Sequence, residues 1–319
     1  MKKSMIFGAV ALLMFTANGL NATAEYPAES LYLTSTSKVN TDYTKCKFNC
    51  QDFIGLDLSG VVEVNLVKSD SYKVEVTLPS VLQEYLQVYV RNGVLKIGWN
   101  KTIPTKLQRQ LENWTCKAEI AMPELRIVEM SGATSLRCDD TFDLGRGELS
   151  LDLSGASNIK SLNVNAGKLD AEISGASSCK LYGSYHEVEL DLSGASSNSF
   201  VIKADKLEAD VSGATKTSLD GDFGEVELDA SGACEVSLKG TIINLEVDAS
   251  GASNVKAMNA VTENAILETS GAANCSVNVT RSVMIEDATG ASNIRYKAPK
   301  DLSVMIKSIG RTASVEMVN

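Results

Sequence analysis

The stretch Val188-Glu189-Leu190-Asp191-Leu192-Ser193-Gly194-Ala195-Ser196-Ser197 decides the fold. Its first half alternates apolar and acidic residues with period two, the mark of a strand with one dry and one wet face. Its second half is a small-residue corner, and the tripeptide Ser-Gly-Ala recurs along the chain. The corner glycines are Gly132, Gly155, Gly175, Gly194, Gly213, Gly232, Gly251, Gly271 and Gly290, with Thr289 replacing the serine in the last. Gly310 continues the series in a weaker form. Successive spacings are 23, 20, 19, 19, 19, 19, 20, 19 and 20 residues. A fixed period of this kind is the signature of a solenoid. After each glycine the alternation resumes at the fourth and sixth positions, as in Val236 and Leu238. A third, turn-rich stretch follows, such as 182–186 or 221–224. No helical period appears in this half, and the leucines and asparagine of leucine-rich repeats are absent. The expected fold is all-β: a right-handed parallel β-helix with roughly three short strands per rung.

Each corner needs a residue that accepts positive φ or a close backbone approach, hence glycine. Small neighbours let corners stack at about 4.8 Å per rung. Ser157-Asn158, Ser177-Ser178, Ser253-Asn254 and Ser292-Asn293 follow the corners. These pairs are expected to form hydrogen-bonded ladders along the stack.

The remaining chain divides as follows. Residues 1–24 read as a signal peptide: Lys2 and Lys3, an apolar run Met5–Phe15, and Ala22-Thr23-Ala24 before a cleavage after Ala24. Residues 25–45 read as a linker, 46–130 as a β-rich capping segment, and 131–319 as the repeats. In the cap, Gly55-Leu56-Asp57-Leu58-Ser59-Gly60 echoes a repeat corner. Ser80-x-x-Gln83 after Pro79 predicts a capped helical turn. Asn92-Gly93 between two apolar runs predicts a hairpin.

The chain carries 30 basic and 40 acidic residues, a net charge of −10. Without Lys2 and Lys3 this becomes 28 − 40 = −12. Such a surface disfavours nucleic acid and anionic membranes as partners. An exported protein in the periplasm, on the outer surface or secreted is expected. No cysteine precedes Cys46, which disfavours a lipid anchor at the cleavage site, and no transmembrane segment is expected in the mature chain. Seven cysteines leave at least one unpaired within the molecule. Cys46 and Cys50 are too far apart on a strand to bond, while either is a candidate partner for Cys116. Cys138, Cys179, Cys234 and Cys275 read as small core residues. His186, the single histidine, reads as a solvated turn residue, so no catalytic residues are assigned.

One feature could form a site. Three residues before the corners stand Asp152, Glu172, Asp191, Asp210, Asp229, Asp248, Glu268 and Asp287. Five before stand Asp170, Glu189, Glu208, Glu227 and Glu246. Paired carboxylates also serve polysaccharide-processing β-helix enzymes, but a motif repeated in every rung suits a multivalent surface better than a catalyst. Stacked like charges repel by roughly 0.9 kcal/mol per pair in bulk water. Lys160, Lys180 and Lys256 are the expected counterions. Asp191, Glu208, Asp210, Glu227 and Asp229 should then be the least compensated group, a candidate cation or ligand face that could take calcium. No other cofactor is expected.

The order of signal peptide, Phe53–Gly60, Tyr72-Lys73-Val74-Glu75-Val76, Asn92-Gly93-Val94-Leu95-Lys96-Ile97 and serial Ser-Gly-Ala-Ser-Asn corners resembles a known family. It is similar to the putative auto-transporter adhesin, head GIN domain family of Bacteroidetes, over roughly residues 46–319. The resemblance implies a cell-surface adhesin with a β-helical head and no catalytic residues. The membrane β-barrel of an auto-transporter is not among the elements read here, so the export route stays open. The expected function is a non-enzymatic adhesin or envelope interaction module for an unknown protein or glycan ligand. A polysaccharide-processing enzyme and a purely structural envelope protein are the alternatives.

Overall fold

The computed structural model describes residues 42–111 and 113–318. The expected signal peptide, its cleavage site and most of the expected linker lie outside the described residues.

The chain enters through β1 (Tyr43–Phe48), so it is already paired three residues before Cys46, where the sequence reading ends its linker. Next come β2 (Gly55–Gly60), β3 (Glu63–Lys68) and β4 (Lys73–Pro79). A 3-10 turn over Ser80–Tyr85 leads to β5 (Leu86–Arg91) and β6 (Val94–Trp99). Then follow α1 (Thr105–Gln110), β7 (Lys117–Met122), β8 (Ile127–Gly132) and β9 (Ser135–Asp143). The repeats continue through β10 (Glu148–Leu153), β11 (Asn158–Asn165) and β12 (Lys168–Ile173). The long strands are β13 (Ser178–Leu192), β14 (Ser197–Val211), β15 (Lys216–Ala230), β16 (Glu235–Ala249), β17 (Asn254–Thr269) and β18 (Asn274–Ala288). The last rungs hold β19 (Asn293–Lys297), β20 (Ser303–Ile306) and β21 (Ser314–Val318). The result is a parallel β-solenoid of about ten turns.

Its geometry follows from the alternation. From β13 to β17 each strand pairs in parallel with the next, so equivalent residues stack in columns. Inward residues such as Leu190, Leu228 and Leu267 are buried in a continuous core. That core, rather than any single rung, supplies the hydrophobic stabilisation. The turn-rich stretch does not break into a separate strand: 182–186 and 221–224 lie inside β13 and β15. From β13 to β18 a rung is therefore one long strand per corner instead of three short ones, while the flanking rungs break into two strands.

The corners hold by a single recurrent contact. The Ala214 N–H donates to the Gly194 carbonyl at 2.8 Å, and the same bond joins Ala233 to Gly213 and Ala252 to Gly232. Gly213 has φ +72°, and a Cβ there would sit 2.5 Å from the Gly194 oxygen. Left-handed conformation and close approach thus act at the same atom. The residue two after each corner glycine points inward: Ser157, Ser177, Ser196, Ser253 and Ser292 are buried, as are Thr134, Thr215, Cys234 and Ala273 in the other rungs. The serine hydroxyl is held locally in places, as where Ser157 Oγ donates to the Ser154 carbonyl at 2.7 Å. The expected Ser-Asn ladder is therefore only partial, with Ser178 Oγ donating to Asn158 Oδ1 at 2.8 Å. A fuller ladder runs elsewhere, through Asn244, Asn264 and Ser282.

Two boundaries differ from the sequence reading. The solenoid starts at Gly55, not near 131: β2 pairs in parallel with β8, matching Gly60 with Gly132. The corner echo is a true rung, and the intervening residues 69–126 are an insertion. From that insertion β6 stacks on β2 and β7 on β3 as a partial rung above. At the other end, the Gly310 N–H donates to the Ala288 carbonyl, the role Thr289 plays toward Thr269 one rung earlier. The register Asn293↔Ser314 then puts Arg311, not Gly310, at the corner position.

Within the insertion, β5 and β6 form the predicted hairpin, with Asn92 at φ 52° and Gly93 at φ 75°. The turn at Ser80–Tyr85 forms without a side-chain cap; Ser80 Oγ donates to the Asp42 carbonyl instead. Glu75 on β4 is nearly buried and meets Lys45 at 2.6 Å, Lys73 at 3.0 Å and Lys47 at 3.4 Å. Hydrogen bonds from Lys45 and then Lys73 hold its carboxyl at about 2. All seven cysteines are free thiols, and burial pushes those of Cys116, Cys179 and Cys275 up to about 12.

The corner contact predicts that Gly213→Ala lowers folding stability by about 3 kcal/mol or more, through strain plus displaced backbone. Gly145 is the control: it has φ +56° but open space around its Cβ position. Gly145→Ala should cost only about 1 kcal/mol. Urea melts of both variants measure the difference, and equal losses would refute the close-approach argument.

Glu75 predicts an acid limit. Its folded-state pKa lies below the ordinary value of 4.5, so its contribution is present above that value and lost as pH falls toward 2. In melts from pH 6 down to 2, Glu75→Gln should start less stable and lose less on acidification.

Candidate functional site

The acidic face is the outward side of the leg that precedes each corner. On this leg inward apolar residues fix the register, so the outward residues stack without freedom to shift. Glu172 pairs with Asp191, Asp191 with Asp210, Asp210 with Asp229, and Asp229 with Asp248. The column continues through Glu268 to Asp287. In the other direction it runs from Glu172 to Asp152 and then beyond the expected residues, through Glu129 to Asp57. Asp57 ends the line in an ion pair with Lys96 of β6, which stands opposite it in register. Glu129 stands three residues before Gly132 and fits the same rule, whereas Asp57 is hidden in the sequence because the insertion separates Gly60 and Gly132 by 72 residues.

The second column, Asp170, Glu189, Glu208, Glu227 and Glu246, lies beside the first in matching register. Its counterions come from a third column that alternates in sign: Glu148, Lys168, Glu187, Lys206 and Glu225. Lys168 meets Glu189 at 2.7 Å, and Lys206 meets Glu227 at 3.2 Å and Glu208 at 3.8 Å. The expected counterions serve elsewhere. Lys160 pairs with Glu63 at 2.9 Å, Lys256 pairs with Glu235 at 2.6 Å, and Lys180 lies over the Tyr182 ring. These lysines sit on the leg after the corner, on a different face. Glu208 and Glu227 are therefore compensated, contrary to expectation. Asp191, Asp210 and Asp229 are not: among the described residues no ion pair reaches them.

Electrostatics follow this geometry. The Asp210 carboxyl is raised above its ordinary value by desolvation first and then by Asp229 and Asp191. Asp229 is raised by desolvation and then by Asp248, and Glu268 by desolvation with Asp248 and Asp287 beside it. A concavity of about 340 Å³ runs along both columns between Glu208 and Glu286. Among the described residues, no three His, Cys, Asp or Glu side chains converge as a metal cage. The calcium expectation thus rests on charge density and not on a formed coordination sphere. His186 is exposed, its Nδ1 2.9 Å from Asp205 Oδ2 on the neighbouring rung.

Since the folded-state pKa values of Asp210 and Asp229 are raised, their ionisation opposes folding, and stability falls as pH rises through those values. At neutral pH the double variant Asp210→Asn/Asp229→Asn should melt about 2 °C higher than the parent. Sodium chloride should raise the parent's melting temperature and move the variant's less. Differential scanning calorimetry across salt checks both. A parent indifferent to salt would mean that the columns are fully hydrated and do not repel appreciably.

Among solved structures, the chain is similar to a "putative adhesin" from Parabacteroides merdae, at 21% identity over 88% of this chain and 98% of that one, with a TM-score of 0.47. A "putative adhesin" from Parabacteroides distasonis follows at 18% identity over 88% and 98%, with a TM-score of 0.44. A "putative lipid binding protein" from the same species shows 16% identity over 88% and 98%, with a TM-score of 0.42. No curated protein matches the chain. Residues 52–199 and 195–299 match one family, so together the two spans take in most of the sequence. The chain belongs to the family described as "Putative auto-transporter adhesin, head GIN domain".

Proposed function

We propose that the protein is an exported, non-enzymatic adhesin or cell-envelope interaction module whose solenoid presents a surface to a protein or glycan ligand. The observation that carries this reading is repetition. The same carboxylates recur rung after rung at identical stacking positions, which suits a multivalent surface and not a single reaction centre. Chemistry among the described residues supports it. Buried Cys116, Cys138, Cys179 and Cys275 have raised thiol pKa values, the opposite of an activated nucleophile. His186 touches a carboxylate but no hydroxyl or thiol, so the nucleophile–base pair of a hydrolase is not assembled. Membership of an adhesin family points the same way. Among the described residues no helix is long and apolar enough to cross a membrane.

The test has two arms. Labelled protein should bind intact cells or extracted envelope glycans saturably. Incubation with the same glycans should release no shorter products. Product release that disappears in the Asp191→Asn/Asp210→Asn variant would replace this reading with that of a polysaccharide-processing enzyme.

A further inference from the structure

The chain contains two tryptophans, and the fold brings both to one place. Trp99 and Trp114 stand edge to face, ring centroids 5.7 Å apart and planes at 80°. They wall a concavity of about 420 Å³ at the capped end of the solenoid. Its floor is the outer surface of the first corners, Gly60, Val61 and Ala133. Ile103 and Gln108, the latter on α1, close the far side.

The sequence explains why the site forms there. In the register of β6 on β2, Trp99 falls opposite Gly60, the place where the next corner glycine would stand. The chain runs on toward α1 instead of turning, and the indole lies over the corner column. A Cβ on Gly60 would meet Trp99 Cδ1 and Nε1 at 2.2 Å, so glycine is what lets the ring settle there. Both tryptophans remain partly exposed, and Val61 is 42% exposed.

The polar groups are few and neutral in sum. Gln108 Nε2 donates to the Ile103 carbonyl at 3.0 Å, which fixes the amide and leaves its oxygen as an acceptor. Thr102 adds a hydroxyl. The Lys101 charge is taken by Glu84 at 2.9 Å and lies 4.5 Å from the Tyr85 ring. An uncompensated charge is therefore not offered to a ligand, and a chain of net charge −10 repels anions such as fatty acids. Flat aromatic walls, a few fixed polar groups at the rim and an open mouth suit a neutral molecule with apolar C–H faces and hydroxyl edges.

We propose that this concavity is a binding subsite for a neutral sugar ring of a glycan, stacked on the Trp114 face with Trp99 walling its edge and hydrogen-bonded by Gln108 and Thr102. It deepens the adhesin reading and takes its biological sense from it. It also stands apart from the acidic face.

The experiment uses intrinsic tryptophan fluorescence, which reports on this site alone because no other tryptophan exists in the chain. The folded protein is titrated with neutral oligosaccharides of glucose, galactose, mannose and N-acetylglucosamine, and separately with a neutral alkyl detergent below its micelle concentration. At least one sugar should shift the emission saturably, with Kd of about 1 mM or tighter. Trp114→Ala should weaken that sugar at least about tenfold, while Trp114→Phe keeps most of the affinity. Gln108→Ala, which removes no ring, should weaken it as well. Emission unmoved by every sugar, or moved by the detergent alone, overturns the proposal. Adhesion to cells separates the two readings. Trp114→Ala that still adheres, with sugars silent, sinks this subsite and spares the adhesin. Sugar binding by a protein that adheres to nothing does the reverse.

Discussion

The hydrogen bond from each corner alanine N–H to the glycine carbonyl of the rung before it sets the rest of the structure. It holds only if that oxygen can approach to about the distance where a side chain would begin, so the corner is glycine in ten successive rungs from Gly60 to Gly290. Because the contact tolerates no slip, irregularities are displaced onto the legs. Rungs with an extra residue absorb it as register shifts, between Ser237 and Lys239 and between Ile159 and Leu162, while the glycines stay aligned. The large insertion after β3 obeys the same rule. It leaves from a leg and returns in register, so Gly132 stacks on Gly60 as though nothing intervened.

A locked register has an electrostatic consequence. Side chains of one kind must stack on their own kind, and a strand that alternates apolar with acidic residues yields lines of carboxylates. The middle of the second line, Glu189, Glu208 and Glu227, is offset because its neighbouring column alternates lysine with glutamate. The inner line has no such neighbour, and desolvation and mutual repulsion raise Asp210, Asp229 and Glu268 together. The cap answers this at one end only, where Lys96 replaces a carboxylate opposite Asp57.

The corners, the inward positions and the acidic columns were legible because each is a repeat, and a repeat carries its own register. What failed were the places where a repeat is imitated or interrupted. Gly310 matches the spacing by composition, yet a longer path after β19 shifts the register by one and leaves Arg311 at the corner. The rung at Gly55–Gly60 looked like an echo because its partner lies beyond the insertion. Lys160, Lys180 and Lys256 recur at one offset after the corner, and the corner turns that offset onto a face away from the carboxylates. Trp99 and Trp114 belong to no repeat and so carry no register in the sequence, and only the stacking of β6 on β2 reveals what places them.

Interruption is also what gives a solenoid a unique address. A rung repeated ten times offers the same chemistry at every level, which supports avidity but cannot distinguish one level from another. The insertion between β3 and β8 breaks that equivalence: it brings a helix, a hairpin and both tryptophans to the end of the corner column. There the repeating contact stops for a physical reason, since Trp99 occupies the glycine's place and its ring replaces the carbonyl that would have continued the stack. The exposed aromatic surface at that point is the necessary remainder of ending a corner column without another corner. A partly covered indole retains contact energy that a ligand can complete, whereas the hydrated carboxylates along the rod must first be stripped of water. The shared geometry that makes the rod uniform therefore concentrates selectivity at its cap.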